Sequence, residues 1–217
     1  MATASVFRPR FVNFGDVRAY LGGIPDYRIQ LRPVPGEATE DDVLAVKARE
    51  GRSCELIDGI LVEKDMATFE SRVAFILGVY LELFIEGKHL GVILPGDGML
   101  RLFPKQVRIP DVSFVSRKRM PGQELPKEKI WSLAPDLAVE VLSEGNTEEE
   151  MDRKLKEYFQ AGTKLVWYVD PQDRTVRVYT SPRKFRLLKE HDTLDGGKVL
   201  PGFSLSIKTW FARASDS

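Results

Sequence analysis

The sequence predicts an α/β fold: a mixed β-sheet flanked by helices, with a strand-rich C-terminal part. Three observations carry this. Residues from about Thr68 to Glu86 repeat apolar side chains at helical spacing. Residues 137–170 read strand, helix, strand, the order of a βαβ-like crossover. Beyond residue 174 the chain breaks into short strand-like runs, of which the first alternates cleanly.

The first fifty residues read as an N-terminal extension with short helices, set before a main domain over residues 51–217. Asp16 to Leu21 suit a helical turn that GGIP breaks, and RPVPGEATEDD is a link marked by proline and glycine. Thr39 with Asp42 three residues on is a variant capping box. A short helix follows through Val43, Leu44, Val46 and Ala48 and ends at Gly51. ELIDGILVE, Glu55 to Glu63, reads as a hairpin turning at Asp58-Gly59. The Thr68 to Glu86 helix carries Val73, Leu77, Tyr80, Leu81 and Phe84 at helical spacing and stops at Gly87. Short strands are predicted at Val92–Leu94, Met99–Phe103, Val107–Val115 and Leu137–Leu142. A second helix covers roughly Glu148 to Gln160. Thr147 is its N-cap, Glu150 completes a capping box, three glutamates fill the first turn and Gly162 lies past the end. Lys164–Asp170 is mostly apolar and of strand length, and Arg174–Thr180 alternates as a half-exposed strand does. Two or three short strands, the last near Phe203–Ile207, close the chain.

Composition bounds the chemistry. The 217 residues suffice for a sizeable core without staples. The 32 basic and 32 acidic residues cancel, so no global field marks a nucleic-acid partner, although local patches escape that sum. Cys54 is alone, which excludes an intramolecular disulfide and a multi-cysteine zinc site. His89 and His191 are too few for a histidine-rich metal site. The opening MATASVFRPRF has no apolar core of a secretory signal. FILGVYLELFI is interrupted by Glu82 and too short to span a bilayer. A cytoplasmic protein with no membrane partner is the expectation.

Three carboxylates fall on apolar faces. On the Leu137–Leu142 strand both faces are otherwise apolar, so Glu140 should be buried. A buried carboxylate is costly unless paired, hydrogen-bonded or bound to a metal. Asp111 interrupts VRIPDVSFV in the same way. Glu70 lies about 50° from the centre of the apolar arc of its helix, under Val73, Ala74 and Leu77. Each has a structural reading beside the functional one. Glu70 suits a helix N-terminus, and Asp111 after a proline can punctuate a strand. Together they make an oxygen-rich cluster suited to Mg²⁺ or Mn²⁺. On the second helix Lys154 lies about 85° from the apolar centre and can reach the sheet, whereas Lys156 is about 115° off and Arg153 points outward. The structural reading of Lys154 is a snorkelling surface lysine.

The strings IPDVSFV, APDLAVEVLSEGNT, DRKLKEYFQAGTKLVWYVDP and RTVRVYTSP resemble the Uma-type family of restriction endonuclease-like proteins. The resemblance extends back through ELIDGILVEK, ATFESRVA and DGMLRLF, and so covers nearly the whole chain. It implies the PD-(D/E)XK fold, a homodimer by analogy with relatives that cut both strands, and metal-dependent cleavage of phosphodiesters in DNA. Matched by position, the PD aspartate is Asp111, the second acid is Glu140 and the helix acid is Glu70. The standard motif has a lysine two residues after the acid. Here that position is Leu142, and the resemblance places the lysine on the following helix, at Lys154. It further implies that Asp111, Glu140 and the Val141 carbonyl hold Mg²⁺ or Mn²⁺, and that Glu70 holds a coordinated water or a second ion. Lys154 would orient the attacking water or stabilise the transition-state charge. Glu55 would bound the cleft. Gly145 stands where serine is common, a small loop change.

Substrate contacts should be basic and local. Residues 105–129 hold seven Lys or Arg against three acids, and residues 174–189 hold six and no acid. Three other readings stand beside the DNA endonuclease. One is a catalytically weak or inactive nucleic-acid-binding or assembly protein on the same fold, which the displaced lysine and zero net charge favour. Another is a nuclease acting on RNA or repair intermediates. The last is a hydrolase of small phosphoesters, which no glycine-rich phosphate loop supports.

Overall fold

The structure is a computed structural model that describes residues 11–216. Most of the opening segment tested for a secretory signal lies outside them. Helix α1 (Phe14–Tyr20) starts where the Asn13 side chain accepts from the Asp16 N–H and Asp16 accepts in return. Helix α2 (Glu40–Glu50) starts where Asp42 accepts from the Thr39 N–H, and ends at Gly51 with φ 70°. The hairpin of β1 (Cys54–Ile57) and β2 (Ile60–Glu63) turns at Asp58 and Gly59, both at positive φ, as a two-residue primed turn requires. Helix α3 (Thr68–Ile85) buries Val73, Leu77 and Leu81 and is followed by β3 (Gly91–Pro95) and β4 (Met99–Phe103).

The predicted strand Val107–Val115 is two strands. β5 (Gln106–Arg108) and β6 (Val112–Ser116) lie in different sheets, with Ile109, Pro110 and Asp111 as the corner between them. Proline has no N–H to give to a ladder, so pairing breaks there. After the short β7 (Ile130–Trp131), β8 (Leu137–Val141), α4 (Glu148–Gln160) and β9 (Leu165–Asp170) form the parallel crossover. β10 (Thr175–Ser181), β11 (Lys184–Leu188), β12 (Thr193–Gly196) and β13 (Leu200–Ser206) complete the strands. The chain then adds a helix that periodicity did not predict, α5 (Ile207–Ser215), capped by the Ser206 hydroxyl on the Thr209 N–H. Its Trp210 indole donates to the Val73 carbonyl of α3 at 3.0 Å, so the helix is held by tertiary packing.

Two sheets carry the architecture. The smaller runs β2-β1-β5-β4-β7 and the larger β11-β10-β9-β8-β6-β3; β12 and β13 form a separate ribbon. The larger sheet is mixed, since β8 and β9 are parallel and the other pairs antiparallel. One of its faces packs Val112, Leu137, Val139 and Trp167 against α3 and α5. The other packs Ala138, Val166 and Tyr168 against Met151, Leu155 and Tyr158 of α4. Each fully buried large apolar side chain contributes roughly 1.5–3 kcal/mol.

Within residues 11–50, Tyr20, Gly22 and Arg28 reach α4 and its N-cap. Arg28 is buried, bridges to both oxygens of Glu150 at 2.7 and 2.9 Å, and donates to the Gly145 carbonyl at 2.8 Å. Glu150 therefore serves Arg28 rather than a capping box, and Thr147 alone caps α4. At Gly145 an added Cβ would meet the Asp65 carboxylate, the movable end of a side chain. Arg153 does not point into solvent as the helical wheel predicted. It donates to Asp58, Glu157 and the Tyr20 carbonyl, because α1 covers that side of the helix. Among the described residues, no helix is long and apolar enough to cross a membrane.

Candidate active site

Glu140 sits on β8, an inner strand of the larger sheet, and is 4% exposed. The corner at Pro110 delivers Asp111 to it. β6 pairs antiparallel with β8 through Val112↔Val139, and the Asp111 N–H donates to the Val139 carbonyl at 2.9 Å. One step along this register, Asp111 lies across from Glu140, where side chains are about 4.5–5.5 Å apart at Cβ. The Val141 N–H donates to Asp111 Oδ2 at 2.6 Å, so Val141 enters the site through its amide.

Lys154 comes from α4 and is 3% exposed, so it does not snorkel. Its Nζ lies 3.3 Å from Glu140 Oε2 and 3.4 Å from Glu55 Oε2. Lys156 is exposed. The Tyr158 hydroxyl donates to Glu140 Oε1 at 2.5 Å. Lys64, just after β2, forms an ion pair with Asp111 Oδ1 at 2.7 Å and donates to the Gly96 carbonyl at 3.2 Å. Sequence reasoning missed Lys64, which sits in a polar stretch with no local signal.

Behind this group lies a second layer from the smaller sheet. Glu55 Oε1 accepts from the Ile109 N–H at 3.0 Å and Oε2 from Arg108 at 2.7 Å. Arg108 is 0% exposed and its Nε donates to Glu157 Oε2 at 2.7 Å. Gln106 and Arg153 also donate to Glu157. Asp58, Glu157, Glu55, Asp111 and Glu140 thus face Arg153, Arg108, Lys154 and Lys64, one cation short of balance.

The imbalance falls on Glu140. Burial pushes its carboxyl up to about 7, with Asp111 and Glu55 adding to the rise against the opposing pull of Lys154. Glu55 goes the other way. Burial works against its charge, but Lys154, Arg108 and the Ile109 amide outweigh it and hold the carboxyl down to about 2. Burial likewise opposes the Lys154 charge, yet Glu140 and Glu55 hold its ammonium above the ordinary lysine range.

Glu70 borders an adjoining cavity. It is 7% exposed, its Oε2 has no hydrogen-bond partner, and it lines a cavity of about 360 Å³ with Ser143, Asn146, Asp170 and Arg177. Asp111 opens instead onto a groove of about 560 Å³ beside Ser71, Phe75, Pro95 and Asp97.

Among the described residues, no group of three His, Cys, Asp or Glu side chains is arranged to hold a metal ion. The Asp111–Glu140 pair still fits Mg²⁺ in kind, since that ion is commonly held by one or two carboxylates together with waters and substrate phosphates. The fit requires rearrangement. Both Asp111 oxygens and both Glu140 oxygens already accept from protein donors, and the Lys64 ammonium holds one cation position.

The basic runs are partly internal. Arg108 is buried, and Arg119 pairs with Asp136 at 2.9 Å. In the second run Arg174 and Arg186 pair with Glu190 and Asp195, while Lys184 and Arg186 are exposed on β11.

The Uma2 family model, described as "Putative restriction endonuclease", matches residues 40–208. Among solved structures, a putative nuclease belonging to DUF820 from Anabaena variabilis matches with a TM-score of 0.66 at 20% identity, over 75% of this chain and 91% of that one. At this identity the likeness shows the fold. No curated protein matches the sequence.

Proposed function

Because this chain belongs to the Uma2 family, we propose that it is a divalent-metal-dependent endonuclease hydrolysing phosphodiester bonds in DNA. The observation that carries the reading is the buried meeting of Asp111, Glu140 and Lys154 at the corner between the two sheets. Asp111 and Glu140 would hold the ion, Mg²⁺ or Mn²⁺, with the Val141 carbonyl nearby on the same strand. When bound, such an ion neutralises charge at the phosphoryl group and acidifies water. Lys154 donates from a fixed position toward the attacking oxygen or the charge developing at phosphorus. Tyr158 fixes one oxygen of Glu140 and leaves the other facing Lys154. Asp111 faces the groove, the direction from which a phosphate backbone would approach. Glu70, in the neighbouring cavity, would serve a second ion or a coordinated water. A homodimer would place one such site on each strand of a duplex.

The test is nicking of supercoiled plasmid by purified protein with Mg²⁺ or Mn²⁺. The reading requires cleavage that EDTA stops and that Glu140→Gln and Asp111→Asn abolish. One observation favours a second reading, a nucleic-acid-binding protein without cleavage: the Lys64 ammonium on Asp111 stands where a cation would sit. Nucleic-acid binding with no nicking under any divalent ion, in the native chain and in Lys64→Met alike, would select it. Cleavage of RNA but not of DNA would change the substrate and keep the chemistry.

A further inference from the structure

We infer that Glu55 is a positioning residue, which holds the Lys154 ammonium in place independently of Glu140. The inference rests on the reading of Lys154 given above, and deepens it. A lysine has a long flexible stem and a point charge, so a single carboxylate fixes its position poorly. Lys154 has two carboxylates, and they differ in kind. Glu140 would share its charge with a metal ion. Its hold on Lys154 then weakens, and the ion repels the ammonium. Glu55 lies on the far side, on β1 of the smaller sheet, and touches Lys154 but not Asp111.

Glu55 is itself fixed. The Ile109 amide holds one of its oxygens and Arg108 the other. Arg108 is braced from behind by Glu157. A chain of alternating charge therefore runs Asp58, Arg153, Glu157, Arg108, Glu55, Lys154, Glu140. It begins at partly exposed groups and ends at the reacting pair. Such a network is expensive to bury, and well-packed apolar residues often replace one without loss of stability. Its members converge on one ammonium. That convergence gives the smaller sheet a part in the chemistry beyond that of Lys64, which follows β2 and pairs with Asp111 directly.

The experiment compares Glu55→Gln and Glu55→Asp in the full chain. Gln keeps the shape and one acceptor oxygen, for Ile109 or Arg108 but not both, and loses the charge facing Lys154. Asp keeps the charge. The first readout is the slowly exchanging ¹⁵Nζ ammonium signal of Lys154 in NMR spectra, assigned by its loss in Lys154→Arg and recorded with and without diamagnetic Mg²⁺. The expected result is that Glu55→Gln loses the signal when Mg²⁺ is present, while Glu55→Asp keeps it. The second readout is plasmid nicking, expected to fall about 100-fold in Glu55→Gln with Mn²⁺ affinity unchanged, and to recover largely in Glu55→Asp. A persistent Lys154 signal in Glu55→Gln with Mg²⁺ overturns the inference. So does a loss that Glu55→Gln and Glu55→Asp share equally, since that marks a merely structural role. If Glu55→Gln does not fold, Glu55→Gln/Arg108→Met, which leaves Glu157 with Gln106 and Arg153, takes its place: faster exchange of the Lys154 signal than in wild type supports positioning, and an unchanged rate overturns it. A native protein that nicks nothing sinks the nuclease reading, while the NMR arm still decides this one.

Discussion

Replacing Glu140 by glutamine removes one ionisable group from the interior and leaves its shape. In the folded protein the Glu140 carboxyl is raised from its ordinary 4.5 to about 7 by burial, Asp111 and Glu55. A difference of that size corresponds to about 3 kcal/mol between folded and unfolded chains. Below 4.5 the group is neutral in both states and contributes nothing. Between 4.5 and 7 the unfolded chain releases a proton that the folded chain keeps, so rising pH costs stability. Above 7 the folded group is ionised as well, and the full cost stands. Glu140→Gln should therefore melt close to wild type at pH 4.5 and above it at pH 8, by about 6–12 °C for a chain of this size. The assay is thermal unfolding in EDTA across that range. A variant that melts at or below wild type at pH 8 would refute the reasoning. It would mean that Lys154 and Tyr158 stabilise the carboxylate by more than burial costs it.

Three further outcomes follow from other sites. Asp136 accepts from the Ser116 N–H, Arg119 and Lys164, which outweigh burial and hold its carboxyl down to about 2. Its stabilisation is full above the ordinary 3.8 and is lost as pH falls toward 2. Asp136→Asn should cost about 1–2 kcal/mol at pH 7 once solvent screening at the exposed Lys164 is allowed for, with a gap in urea midpoints that narrows below pH 4. Arg28→Met leaves Glu150 buried without its partner and should cost about 3–5 kcal/mol in urea unfolding, most of it recovered in Arg28→Met/Glu150→Leu. Lys154→Met should abolish most plasmid nicking while melting stays cooperative, and Lys156→Ala should be nearly silent; the reverse pattern would show that the active-site lysine is misassigned.

Much of this was legible in the residues. The hairpin at Asp58-Gly59 and the helices α3 and α4 follow from turn chemistry, periodicity and caps. Glu140 declared itself because both faces of its strand are apolar, and the helical wheel chose Lys154 over Lys156. The same test applied to Glu55 and Arg108 would have exposed the second layer. Each stands between apolar neighbours, Cys54 and Leu56 in one case and Val107 and Ile109 in the other, and each is fully buried. Lys64 and Arg28 gave no such signal, because their partners lie far along the chain, at Asp111 and Glu150. The break at Pro110 was visible as a proline within a strand, but only the assignment of β5 and β6 to different sheets shows what it achieves. Helix α5 was hidden by β-branched and aromatic residues of weak helix propensity, which tertiary packing overrides.

A metal-dependent site requires that Asp111 and Glu140 share a cation. Crystals soaked in Mn²⁺ and measured for anomalous scattering answer this directly. The predicted result is one strong peak within about 2.0–2.6 Å of an oxygen from each residue, with Lys64 turned away from Asp111 and Lys154 still against Glu55. A map with no peak there and Lys64 still on Asp111, or with Mn²⁺ only beside Glu70, would contradict it.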